Sequence, residues 1–157
     1  MDKNKKFEVI DHTADISIRV FGKTPEEIVF NSINGLFSIV YNEKEYSGNE
    51  KEYKYIFSEL TFEENIINLL NKLLYEIEVN FLFFNKIKEI KITGKKLKIV
   101  ITAIKIKKEE KIITRIIKAV TYHNANLIIN KEGSYQIDLV LDVWGIYEGI
   151  YWKNIRL

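Results

Sequence analysis

The sequence predicts an α+β fold, a single two-layer domain in which a predominantly antiparallel or mixed β-sheet packs against two α-helices. Three observations carry that prediction. Two segments in the first half place apolar residues at helical spacing behind a capping side chain, and the second half is dominated by β-branched residues in alternation. No Gly/Ser/Pro-rich linker separates the halves, and neither can bury its apolar face without the other. The chain has 157 residues, 46% hydrophobic and 13% aromatic, enough for one core and too apolar for intrinsic disorder.

The first element is extended. A short apolar run from Phe7 passes through Asp11-His12-Thr13-Ala14-Asp15 into strict alternation at Ile16, Ser17, Ile18, Arg19 and Val20, the period of a half-buried strand. Thr24 then caps a helix, with Pro25 at its first position and Glu27 three residues after the cap. Its inward face comprises Ile28, Phe30 or Ile33, Leu36, Phe37 and Val40, with Asn34 and Gly35 weakening the interior. A polar connection from Asn42 to Lys54 leads to a short edge strand, Tyr53 to Phe57. The second helix opens on Thr61 and Glu64 and carries Phe62, Ile66, Ile67, Leu69, Leu70, Leu73, Leu74 and Ile77 on one wide face. Its period fades near Glu78 and Val79, and Phe81-Leu82-Phe83-Phe84 is either its last turn or the start of a strand. Strands are expected over Ile87–Ile92, Leu97–Ile106, Ile112–Tyr122, Asn126–Ile129 and Tyr135–Val143.

Composition excludes several functions. A net charge of +2 gives no global field toward nucleic acid or membrane. The absence of cysteine removes disulfides, thiolate catalysis and zinc modules, and two histidines cannot make a His-rich metal centre, so a metal site here would be oxygen-rich. No segment approaches the roughly 18–20 apolar residues of a spanning helix, and a cytoplasmic protein without membrane contact is expected. There is no G-x-S-x-G elbow, phosphate loop or dinucleotide turn.

The candidates that remain are local. Asp11, His12, Thr13 and Asp15 suit cation binding, proton transfer or simple turn capping. On the last strand, alternation separates Ile137, Leu139, Leu141 and Val143 from Asp138, Val140 and Asp142. Asp15 and Asp142 can meet only if their strand ends are adjacent. His123 reads as a polar turn residue or a partner-facing donor. A lysine-rich run from Lys86 to Lys118 reads as the solvent face and turns of a sheet, or as an RNA-contacting surface.

D-H-T-A-D at Asp11–Asp15, K-A-V-T-Y-H at Lys118–His123 and V-L-D-V at Val140–Val143 together resemble the signatures of the archease family, in order and separation. The resemblance spans nearly all of residues 1–143 and leaves 144–157 as an aromatic C-terminal extension, expected to pack onto the same domain. It implies a non-catalytic accessory protein that activates an RtcB-type 3′-phosphate/5′-hydroxyl RNA ligase in tRNA splicing by promoting guanylylation and multiple turnover. Family members described as chaperone-like modulators of a tRNA cytosine methyltransferase imply a secondary role, with weak or indirect tRNA contact. The resemblance further implies a divalent cation, calcium foremost with magnesium or manganese as alternatives, held by Asp15, Asp142 and the Val143 carbonyl, and no nucleotide cofactor. Asp11, His12, Lys118 and His123 carry over as supporting or partner-activating residues. The competing readings are an RNA-binding chaperone using the lysine face and a small metal-dependent hydrolase using Asp11, His12, Asp15 and Asp142. Two departures stand out: the connection Lys105–Lys111 is compact and lacks a histidine, and the chain continues past Val143 where family members commonly end.

Overall fold

A computed structural model of the chain describes residues 4–11 and 15–144. The elements are β1 (Phe7–Asp11), β2 (Asp15–Gly22), α1 (Pro25–Val40), β3 (Glu50–Phe57), α2 (Phe62–Asn80), β4 (Leu82–Thr93), β5 (Lys96–Lys105), β6 (Ile117–Thr121), β7 (Ile128–Ile129) and β8 (Tyr135–Val143). This is the α+β architecture that the sequence predicts. The strands form two antiparallel sheets, one in the order β1-β2-β8-β6 with β7 also on β8, the other β3-β5-β4.

Both helices start where their caps predict. Thr24 is extended and its hydroxyl accepts from the Glu27 N–H at 3.1 Å, while Glu27 Oε2 reaches back one residue further, to the Lys23 N–H at 2.7 Å. Around Thr61 the reciprocal box is complete: the Glu64 N–H donates to Thr61 Oγ1 at 3.1 Å and Glu64 Oε2 accepts from the Thr61 N–H at 3.3 Å. At its other end α2 stops on Phe81, held at φ 55° in the left-handed region that usually favours glycine. That residue resolves the ambiguous aromatic run: Phe81 caps the helix and Leu82 begins β4.

Each helix packs against strands of both sheets. α1 lies on β1, β2 and β8 and also touches β4; α2 lies on β6 and on β3, β4 and β5. For this reason α1 is buried around most of its circumference, through Ile28, Val29, Ile33, Leu36, Ile39 and Val40, and polar Asn31 and Ser32 are buried as well. Both have partners, Asn31 Nδ2 donating to the Phe21 carbonyl at 2.7 Å and Ser32 Oγ to the Ile28 carbonyl at 2.6 Å. Of the two residues that could point inward from α1, Ile33 does so and Phe30 stays 38% exposed. Gly35 permits the close approach of α1 to β2, because a Cβ there would come within 3.0 Å of Ile18 Cγ2. One core cluster joins Ile16, Ile18 and Val20 of β2, Ile137, Leu139 and Leu141 of β8, Leu97, Ile99 and Ile101 of β5, and both helices.

Two expected strands are shorter than their apolar patterns. Of Ile112–Tyr122 only Ile117–Thr121 enters the sheet. The preceding residues instead serve the C-terminal end of α1, whose last carbonyls lack intrahelical donors: the Thr114 N–H donates to Val40 O at 2.8 Å, Thr114 Oγ1 to Ile39 O at 3.0 Å, and Ile113 bridges Tyr41. Of Asn126–Ile129 only Ile128–Ile129 pairs, because the Leu127 N–H is taken by Glu63 Oε1 at 2.9 Å. Tyr41 ties the same helix end to the start of β4, its hydroxyl donating to Leu82 O at 3.1 Å and accepting from the Phe84 N–H at 3.0 Å.

Candidate functional site

The β2–β8 pairing sets the candidate site. Its register places Asp15 opposite Asp142, Ser17 opposite Val140 and Arg19 opposite Asp138. Ile16, Ile18 and Val20 on one strand and Ile137, Leu139 and Leu141 on the other point into the core, so the acids necessarily share the outer face. The three acids on that face differ. Asp138 is neutralised by a two-point contact, Arg19 Nε to Oδ1 and Nη2 to Oδ2, both at 2.9 Å. Asp15 and Asp142 have no ion pair among the described residues. Like charges directly opposite one another destabilise a strand pair. A fold that sets two such acids in register, two rows from one it neutralises, carries the kind of local conflict that marks a functional site.

β6 completes this end of the sheet. Ala119 is the cross-strand partner of Asp142 and Ile117 that of Val143, with a register shift between them that leaves Lys118 in the bulge. The Lys118 ammonium lies 4.1 Å from the centroid of the Trp144 ring. Asp11, at the end of β1, approaches Arg115 Nη1 at 3.6 Å. Val143 is the last inward side chain of β8 and is buried, so only its backbone is available to a ligand. His123 does not join the group: β6 runs away from Asp142 toward Val140, and His123 sits exposed in the turn beyond Thr121, whose Oγ1 accepts its N–H at 3.4 Å. His12 and residues 145–157, with most of the aromatic extension, lie outside the described residues. Arg115 and Trp144 gain a place in the site that no spacing in the sequence announces, since each depends on a neighbour distant in the chain.

α2 holds β6 in place. Asn71 donates from Nδ2 to the Val120 carbonyl at 2.9 Å and accepts the Val120 N–H on Oδ1 at 2.8 Å, standing in for the missing strand neighbour at the sheet edge. Tyr122 OH adds a bond to Asn68 Oδ1 at 2.6 Å.

The lysine-rich run falls mainly on the outer face of the second sheet and on its turns. Two of its charges are matched across strands: Lys88 Nζ to Glu52 at 2.9 Å and Lys98 Nζ to Glu89 at 3.1 Å. Among the described residues no three His, Cys, Asp or Glu side chains are grouped as a metal cluster, so Asp15 and Asp142 stand as a pair. No helix among them is long and apolar enough to cross a membrane.

The chain is thus an α+β domain in which two carboxylates from opposite ends of the sequence are opposed across paired strands. The model of the archease protein family (MTH1598/TM1083) matches residues 7–143, and the chain belongs to that family. It is 28% identical over 145 residues to the protein archease of Methanosarcina barkeri, covering 90% of this chain and 98% of that one. It is 31% identical over 142 residues to the protein archease of Sulfolobus acidocaldarius, covering 88% and 99%. Among solved structures, Methanobacterium thermoautotrophicum protein 1598 superposes with a TM-score of 0.67 at 25% identity, covering 88% of this chain and 99% of the other. A Thermotoga maritima archease, described as a possible chaperone, superposes with a TM-score of 0.59 at 26% identity, over 87% and 96%.

Proposed function

We propose that this protein is a non-catalytic cytoplasmic helper that activates an RtcB-type RNA ligase in tRNA splicing, promoting its guanylylation and repeated turnover. The observation that carries the reading is the register of Asp15 with Asp142, which leaves an unneutralised acidic pair at one end of the sheet. The oxygen-only donor set suits a hard cation, calcium or otherwise magnesium or manganese. Asp15, Asp142 and the Val143 carbonyl would hold it, and the remaining oxygens of the six to eight that calcium takes would come from water or the ligase. The cation's contribution is a concentrated positive charge that can meet the ligase's nucleotide or metal pocket. The chain's own residues supply the platform: Arg19 neutralises Asp138 on the same face, and Asn71 holds the strand that carries Lys118. The description of the Thermotoga maritima relative as a possible chaperone accords with a helper rather than an enzyme.

The test is ligation of matched 3′-phosphate and 5′-hydroxyl RNA ends with GTP and manganese, with the ligase guanylylation level followed in parallel. Added wild-type protein should raise both, and Asp142→Ala should raise neither while retaining its circular-dichroism spectrum. No stimulation by the wild type overturns the reading. Modulation of a tRNA cytosine methyltransferase is the secondary activity that the family suggests, and is scored with the same two proteins.

A further inference from the structure

Trp144 is the first residue beyond the segment that the family model matches, and it stands at the acidic pair. Its N–H donates to the Ile116 carbonyl at 3.4 Å, which prolongs the β6–β8 pairing by one step. Alternation from Asp142 outward and Val143 inward returns Trp144 to the face of Asp142. Trp144 is 51% exposed and is not among the described side chains packed against the core cluster. It does have a partner, the Lys118 ammonium 4.1 Å from its centroid, well within the roughly 6 Å reach of a cation–π contact.

Lys118 matters because of where else it could go. It occupies the bulge beside Ala119, and Ala119 is the cross-strand partner of Asp142. A lysine on a flexible four-carbon stem, one strand away from unneutralised Asp142 and with Asp15 on the strand beyond, would ordinarily turn its charge toward that acidic pair. Here it has no ion pair among the described residues, and its charge is over the indole instead. The two alternatives are close in energy: an exposed ion pair and an exposed cation–π contact each contribute of the order of 1 kcal/mol or less. A single indole can therefore decide between them.

We infer that Trp144 is a positioning residue that draws the Lys118 ammonium off Asp15 and Asp142 and so keeps the acidic pair open to an external cation. The inference rests on the reading of that pair as a cation site, and it adds a determinant from outside the family's matched segment.

The test uses the full chain and three variants, Trp144→Ala, Lys118→Met and the double variant, with terbium luminescence and calcium competition as one readout and the Lys118 ε-methylene proton shifts as another. In the wild type those protons should resonate upfield through the indole ring current and return to ordinary lysine values in Trp144→Ala. Terbium affinity should fall about threefold in Trp144→Ala, the effect of losing one exposed cation–π contact. It should recover in the double variant, where no ammonium remains to compete. Unshifted ε-protons in the wild type overturn the inference, as does a loss of affinity in Trp144→Ala that Lys118→Met does not rescue. If the wild type binds no terbium, the cation reading fails on its own. The proton shifts then still decide whether Trp144 holds Lys118: an upfield shift lost in Trp144→Ala supports the contact, and its absence overturns it.

Discussion

Asp15 and Asp142 face each other across the β2–β8 pair, and the buried apolar residues flanking them along both strands hold both acids on the outer face. Slipping β2 by one residue against β8 would turn Ile16, Ile18 and Val20 out of the core. The acidic pair is thus positioned by hydrophobic burial on the opposite side of the sheet. Its cost is electrostatic, and that cost is measurable.

Asp142→Asn removes one of two like charges standing opposite each other, which typically destabilise a strand pair by about 0.2–1 kcal/mol. In EDTA this variant should therefore melt slightly above the wild type. Addition of calcium should raise the wild-type melting temperature by mass action and leave the variant unmoved. Thermal melts of both proteins, with EDTA and with calcium, check this. A variant less stable than the wild type in EDTA would show that Asp142 is held by favourable contacts rather than opposed by Asp15.

Arg19 and Asp138 form the complementary case on the same face. Their side chains are 39% and 35% exposed, so solvent screening keeps the pair weak even though both guanidinium contacts measure 2.9 Å. A double-mutant cycle with Arg19→Ala and Asp138→Ala should return a coupling of about 0.5–1 kcal/mol, diminished by high salt. A coupling of several kcal/mol would mean that the face is covered in solution.

Much of this was legible in the sequence, for identifiable reasons. Thr24 and Thr61 announce their helices because capping is chemistry within three residues. The inward and outward faces of β8 follow from alternation, which needs no knowledge of the neighbouring strand. The division of the strands between two sheets was not legible: the turn at Gly94-Lys95 marks the β4–β5 hairpin, but β3 joins β5 across about forty residues, a pairing that leaves no local trace. Residues 112–116 illustrate the limit. Their β-branched composition is that of a strand, but their backbone groups are claimed by the end of α1. Of the site, the three motifs marked Asp15 and Asp142; only the fold opposes them, and only the fold moves His123 away and brings Trp144 in.

Asn71 makes two bonds to the backbone of one edge residue, so Asn71→Ala orphans both the N–H and the carbonyl of Val120. Loss of two such bonds at a partly buried edge should cost about 2 kcal/mol. Hydrogen exchange gives the specific readout: the Val120 amide should lose protection in the variant more than the amides of β2 do. Uniform loss of protection across the sheet would instead point to global destabilisation without a local role for Asn71.

Glu76 and Glu78, two residues apart near the end of α2, should respond to pH with opposite signs. Burial pushes the Glu76 carboxyl up, but bonds from Lys72 Nζ and Asn80 Nδ2, both at 2.6 Å, outweigh it and leave the group below its ordinary value of 4.5. Glu78 has only the burial, which holds it above 4.5, and its Oε1 is buried without a partner. It also lies in the last turn of a helix that has no basic residue there, where the helix dipole disfavours a negative charge. For Glu78 the folded state binds the proton more tightly than the unfolded chain, so its contribution is fully present below about 4.5 and is lost as pH rises through the folded value. Glu78→Gln, uncharged throughout, should thus be more stable than the wild type near pH 7 by about 1 kcal/mol, the low end for an unsatisfied group because the side chain is only partly buried. That advantage should vanish near pH 3.5. For Glu76 the sign reverses: its stabilisation is present above 4.5 and is lost as pH falls through the lowered value. Glu76→Gln should accordingly destabilise at neutral pH and converge on the wild type in acid. Urea unfolding of the three proteins at several pH values measures both curves, and a neutral-pH destabilisation by Glu78→Gln would show that its carboxylate has a partner in solution.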